Sequence, residues 1–173
     1  YGVPGGAAAG ASDSKMPDMQ AGWEQMCSSV MAGLSGLNMV YEAAGMHASL
    51  LGFCHESLIL GDDLIGQSMR CVRGIEVNDE TLALDQIADV CLNGPGHYLG
   101  TDQTLGRMQS DHVYPQLGDR TSPKEWAEIG KPVLTEKATK IKEDILSKPS
   151  EVAFDPILDA NLRKKYKIHL NMN

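Results

Sequence analysis

The residues that could do chemistry gather in one stretch, Ser12-Asp13-Ser14-Lys15-Met16-Pro17-Asp18-Met19-Gln20-Ala21-Gly22. A carboxylate, an ammonium and an amide so close together can bind a small charged molecule and orient it. A second carboxylate, Glu42, directly follows Tyr41, and His97-Tyr98 follow Asn93-Gly94-Pro95-Gly96. Each has a plainer reading. Ser14 or Asp18 can cap a helix that carries Pro17 in its first turn. Asp13 and Glu42 can hydrogen-bond within their own loops, and a lone loop histidine is as readily structural as functional. Capping uses one residue, however, and leaves Asp13, Lys15 and Gln20 unexplained, which favours a site.

Other chemistries fail on spacing. Gly5 to Gly10 has glycine spacing like a phosphate loop, but Ala11-Ser12 stands where Lys-Ser or Lys-Thr is required. Neither a G-x-S-x-G elbow nor an H-E-x-x-H helix occurs. His55 and Glu56 are adjacent and so point to different helix faces, a poor metal pair. Cys27, Cys54, Cys71 and Cys91 form no C-x-x-C pair, so no metal ligand set is expected. They read as reduced, buried thiols of a cytoplasmic protein.

Delivering those side chains requires strands followed by loops and helices. From Pro17 to about Gly33, Met19, Trp23, Met26, Cys27, Val30, Met31 and Leu34 recur at three or four, the spacing of a helix with one core-facing stripe. Leu37 to Tyr41 predicts a short strand, with Glu42-Ala43-Ala44-Gly45 as the loop at its carboxyl end. His47 to Glu56 is ambiguous between loop and short helix. A helix is predicted from Asp62 or Asp63 to Arg73, stopped by Gly74. Asn78 or Asp79 caps a short helix with Leu82, Ile87 and Val90. His97 to Gly100 reads as extended, ahead of a helix starting near Thr101. Ser122-Pro123-Lys124-Glu125 is a capping box, Leu134 to Ile145 is a helix, and Asp155-Pro156 opens the last one. Its tail of Arg163, Lys164, Lys165 and Lys167 suits a solvated helix end, with partner docking as the alternative. Tyr1-Gly2-Val3-Pro4 reads as the end of a strand.

The 173 residues suit one domain, and the formal charge of −8 argues against nucleic acid as a partner. No apolar run is long enough to cross a bilayer, and no basic-then-apolar leader is visible. Strands alternate with helices, which implies a parallel sheet. Two or three short strands cannot close a barrel, so the chain reads as the carboxyl-terminal part of a larger α/β protein.

These pieces together carry a resemblance. Asp13 to Gly22 resembles the D-x-K-x-P-D-x-Q-A-G stretch of the trimethylamine methyltransferase family. Ala32-Gly33-Leu34-Ser35-Gly36-Leu37-Asn38 with Ala44-Gly45 resembles that family's next strand and loop. Arg73-Gly74-Ile75-Glu76-Val77 resembles its R-G-I-E-V segment, and Gly96-His97-Tyr98-Leu99-Gly100 with Thr104-Leu105 its G-H-F-L-G and T-L pair. Trp126 and the helix to Leu146 continue the match.

The resemblance implies a (βα)8 TIM-type barrel, with this chain supplying about three strands plus helices of its C-terminal part. Residues 1–110 would hold the last strands and helices, and 111–173 a helical extension. It implies methyl transfer from a methylated amine to the Co(I) of a corrinoid carried by a separate protein, with no cofactor bound tightly by this chain. Substrates of the family are trimethylamine or quaternary amines such as glycine betaine. Archaeal trimethylamine enzymes carry pyrrolysine, encoded by an in-frame amber codon, which is expected upstream of Tyr1. Nitrogen leaves well only from a cationic amine, so the site should favour an ammonium through carboxylates and aromatic faces. Asp13 and Glu42 are the candidate catalytic carboxylates. Tyr41 and Tyr98 are candidate substrate walls, Gln20 a candidate substrate ligand, and His97 with Gly96 the candidate corrinoid contact. A homo-oligomer is expected. The competing reading is a non-catalytic helical module that only docks the corrinoid protein.

Overall fold

The computed structural model describes residues 2–148 and 155–169. Tyr1, part of the expected leading strand, lies outside them. The chain divides into two compact units, Tyr1–Lys142 and Glu143–Asn173.

In the first unit, β1 (Gly6–Ala8) and β2 (Met39–Tyr41) pair in parallel, with Gly6 opposite Met39, Ala7 opposite Val40 and Ala8 opposite Tyr41. The strand is therefore the small-residue run itself; Gly2 to Pro4 are not in it. Between the strands runs α1 (Met19–Leu34), so strand, helix and strand follow one another as a parallel pair requires. A short antiparallel pair comes next, β3 (Met46–His47) with β4 (Gly52–Phe53). It resolves the ambiguous stretch as a hairpin. Its turn has three successive residues with positive φ, Ala48, Ser49 and Leu50, at 51°, 55° and 70°.

Next, α2 (His55–Arg73) starts seven residues before the expected Asp62, with Cys54 at its N-cap. Gly61 lies inside it because a Cβ there would press on Ala44, so the helix needs a glycine for close packing rather than for an end. Beyond Gly74 come α3 (Asp79–Leu82) and α4 (Leu84–Ala88), separated by Ala83 at φ 51°. A π-turn over Asp89–Asn93 follows. The single helix expected here is thus broken. His97 to Gly100 is a turn and not a strand: Thr101 donates its N–H and its hydroxyl to the Tyr98 carbonyl, then caps α5 (Asp102–Ser110). The Ser122–Glu125 capping box opens α6 (Pro123–Glu128) as expected. Among the described residues the strands are few and short and no barrel closes, so the fold is a helix-rich partial α/β arrangement.

The core is thin. Among the described residues the buried apolar ones are Ala9, Ala21, Ala32, Val90, Leu117 and Ala138, four of them alanine. The stripe expected to be the core face of α1 is open: Met19 is 78% exposed, Trp23 59% and Leu34 61%. α1 meets α2 closely at Gly33, where a Cβ would collide with Val72, and at Met26, whose sulfur accepts from Ser68 Oγ at 3.3 Å. The same openness corrects the thiols, since Cys27, Cys71 and Cys91 are exposed and only Cys54 is half-buried.

α7 (Leu134–Ser147) begins in the first unit, where Ala138 is fully buried and Lys142 pairs with Glu56 of α2 at 2.6 Å. The second unit holds the end of α7 and α8 (Pro156–Lys165). Asp155 caps α8 through Ile157 N–H, and Asp159 pairs with Arg163 at 2.8 Å. No described helix is long and apolar enough to cross a membrane.

Candidate functional site

The loop that leaves β1 at its carboxyl end is stitched to the end of β2 and to the β3–β4 hairpin by backbone hydrogen bonds. Ala9 donates to Tyr41 O (3.3 Å), Ser12 to Met46 O (3.1 Å), Ala48 to Ser14 O (2.9 Å) and Ser49 to Ser12 O (3.3 Å). Gly10, at φ 92°, lets the first loop pass against Ala43, whose carbonyl would collide with any Cβ there. In parallel α/β folds this edge is where ligands bind.

Two buried or half-buried groups fasten that edge. Glu24 of α1 accepts hydrogen bonds from Ser12 Oγ (2.6 Å), Asp13 N (2.9 Å) and Gln20 Nε2 (2.9 Å). These donors, Ser12 first, hold its carboxyl below the usual glutamate range. His47, 3% exposed, donates from Nδ1 to the Ser14 carbonyl (3.2 Å) and lies 2.6 Å from Ser57 Oγ through Nε2. A carbonyl only accepts, so Nδ1 carries the proton and, in the neutral ring, Nε2 accepts from the Ser57 hydroxyl. Loop, hairpin and α2 are joined there. Asp18 caps α1 by accepting from Ala21 N–H, which, with Ser14, also lowers its own carboxyl pKa.

The candidate residues divide in two. Asp13 sits on this edge, exposed; its Oδ1 accepts from Ser49 Oγ at 2.6 Å, and Lys15 Nζ holds its carbonyl at 2.8 Å. Among the described residues, its Oδ2 accepts nothing. Glu42 sits in the second loop of the same edge, exposed, with no hydrogen bond or ion pair among the described residues. Its φ of 58° places a non-glycine residue in left-handed backbone, a conformation that persists where the surroundings enforce it. Tyr41, 48% exposed, lies on the open face of the strand pair beside Ala8, and its ring reaches over Gly6. Gln20 gives its amide to Glu24, so it braces the loop. Gly96, His97 and Tyr98 lie elsewhere, in an exposed turn. Tyr98 meets Cys91 Sγ at 3.3 Å, a hydrogen bond that pushes the phenol pKa up. Among the described residues, no hydrogen bond connects this turn to the Asp13–Glu42 edge. Nor does any group of three or more His, Cys, Asp or Glu residues there have metal-site geometry.

Glu24 and His47 escape sequence reasoning. Glu24 looks like any polar helix residue, although its spacing of four from Gln20 could have signalled their bond. His47 sits in a stretch with no clear periodicity. A groove of about 950 Å³ lies between α1 and α2, walled by Met19, Trp23, Leu64, Leu117 and Leu134.

Residues 1–169 match the sequence model of a family described as trimethylamine methyltransferase (MTTB). The chain belongs to the trimethylamine methyltransferase family. It is 35% identical to trimethylamine methyltransferase MttB2 of Methanosarcina mazei, over 95% of this chain and 32% of that protein. It is 35% identical to MttB of Methanosarcina barkeri, over 84% of this chain and 29% of that protein. It is 32% identical to a glycine betaine methyltransferase of Desulfitobacterium hafniense, over 94% of this chain and 33% of that protein. The chain thus spans about a third of the length of the curated relatives it matches. Methyltransferases of this family therefore include proteins named for a tertiary and for a quaternary amine.

Proposed function

We propose that this chain is the C-terminal third of a trimethylamine–corrinoid protein methyltransferase, within a TIM-type barrel whose other strands lie outside these 173 residues. One observation carries the reading: the stitched loops set Asp13 and Glu42 on one edge of a parallel strand pair, each with carboxylate oxygen free to meet a cation. Trimethylammonium would be drawn there by charge, and Tyr41 would add a cation–π face. Transfer moves the methyl group as a formal cation. The C–N pair stays on nitrogen, leaving dimethylamine, and the Co(I) of the partner's corrinoid supplies the pair for the new bond. The residues of this chain bind and orient the amine and keep it cationic. His97 and Gly96, in an exposed turn, are the proposed contact for the corrinoid, and pyrrolysine encoded upstream is proposed to complete the site.

A second reading is favoured by the match over 94% of the chain to the glycine betaine enzyme. There Asp13 and Glu42 would face a quaternary nitrogen. The two readings part in one experiment. The complete enzyme, with its corrinoid protein reduced to Co(I), is offered each amine and corrinoid methylation is followed by absorbance. Methylation with trimethylamine supports the first reading; methylation with glycine betaine alone replaces it. An in-frame amber codon upstream of the Tyr1 codon would independently favour trimethylamine.

A further inference from the structure

We propose that Glu24 is a positioning residue that acts through Asp13; this rests on reading Asp13 as a carboxylate that meets the ammonium substrate. The geometry separates the roles of the two carboxylates. Both oxygens of Glu24 are occupied, Oε2 by Ser12 Oγ and Asp13 N, and Oε1 by Gln20 Nε2. Charge-assisted bonds of this kind are short and strong. With those donors in place, Glu24 has little left to offer a substrate. Asp13 is held at three points by its neighbours: its N–H by Glu24, its carbonyl by Lys15 and its Oδ1 by Ser49. Among the described residues only its Oδ2 has no donor, so the brace decides where that oxygen points. Ser12, 4% exposed, passes the brace inward, because its Oγ also accepts from Ser14 N–H at 2.9 Å. Ser14 in turn supplies the carbonyl that His47 holds. Removing the Glu24 carboxylate would orphan the Ser12 hydroxyl and the Asp13 amide together and release the loop.

The test is a double-mutant cycle in the complete enzyme, read as corrinoid methylation rate. Glu24→Ala should lower kcat by about tenfold or more, the scale of losing a charge-assisted contact. In an Asp13→Asn background it should cost no further loss, because a residue acting through Asp13 has nothing left to act through. Glu24→Gln, which keeps an acceptor oxygen in place, should recover much of the rate. Hydrogen exchange over residues 9–18 should quicken in Glu24→Ala and not in Asp13→Asn. Should Glu24→Ala fail to fold, Gln20→Ala removes a single donor and runs through the same cycle. Independent, multiplying losses from the two sites would overturn the proposal, as would unchanged exchange in residues 9–18. If Asp13→Asn slows the enzyme and the Glu24 variants do not, only this proposal falls. If Asp13→Asn is silent, the assignment of Asp13 falls with it.

Discussion

At the scale of single residues, Glu42 combines an exposed carboxylate, unpaired among the described residues, with left-handed backbone at φ 58°. The two properties can be tested apart. Glu42→Gln keeps the backbone requirement and removes the charge; corrinoid methylation by the complete enzyme should slow by at least about tenfold, the scale of one charge-assisted contact of about 1.5–3 kcal/mol. Glu42→Gly should slow it as much while raising the denaturation midpoint, because glycine enters that backbone region without strain. Methylation at the parent rate in both variants would remove Glu42 from the site. Glu56 gives a pH-dependent counterpart. Its bond to Lys142 is the largest cause of a carboxyl pKa lowered to about 2. The lowered folded value means that its contribution to stability is complete above the ordinary glutamate range and is lost as pH falls toward about 2. The urea midpoint of the complete enzyme should therefore fall across that acid window more steeply in the parent than in Lys142→Met. Equal slopes would show that the pair does not hold α7 to α2.

At the scale of elements, local signals are legible in the sequence and packing partners are not. Asp18, Thr101, Ser122 and Asp155 cap their helices from neighbouring positions, so α5, α6 and α8 begin as the sequence suggests, while α1 starts at Met19 and leaves Pro17 just outside its expected first turn. The facing of α1 departs from its apolar stripe because hydrophobicity marks what a helix would bury, while Ala21 and Ala32 are its buried apolar residues and Gly33 its close approach to Val72 of α2. The β3–β4 hairpin is hidden because its strands have two residues each and its left-handed turn uses alanine, serine and leucine in place of glycine. At the candidate site, the placing of Asp13, Glu42 and Tyr41 along one strand edge is legible from strand-then-loop order, whereas the bonds to Glu24 depend on donors brought to it by the fold. The glycines give a prediction at this scale. Gly22 and Gly66 have nothing within 4 Å of the point where an alanine methyl would stand, so alanine there should stabilise its helix by about 0.5–1 kcal/mol. Gly33 and Gly61 meet Val72 and Ala44, so valine there should lower the midpoint markedly. A midpoint unchanged by Gly33→Val would mean that the two helices do not pack through this face.

At the scale of the whole molecule, the described residues include no large side chain that is fully buried, while Met19, Trp23, Met31, Leu34 and Met39 stand open. Burial of such side chains is the main source of folding stability, and a thin core made mostly of alanine supplies little. Expressed by itself, this chain should be poorly soluble or molten, binding a hydrophobic dye and melting broadly. A sharp cooperative melt from a monodisperse monomer would overturn its place within a larger barrel. The open α1 stripe also has a consequence in the living cell. Exposed methionine, tryptophan and leucine are what chaperones grip and what degradation machinery finds, and the time a chain survives follows how often it shows them. Within the complete enzyme, where the rest of the barrel would cover the stripe, these residues should persist longer than when they are expressed by themselves, a difference a pulse-chase measurement reads directly.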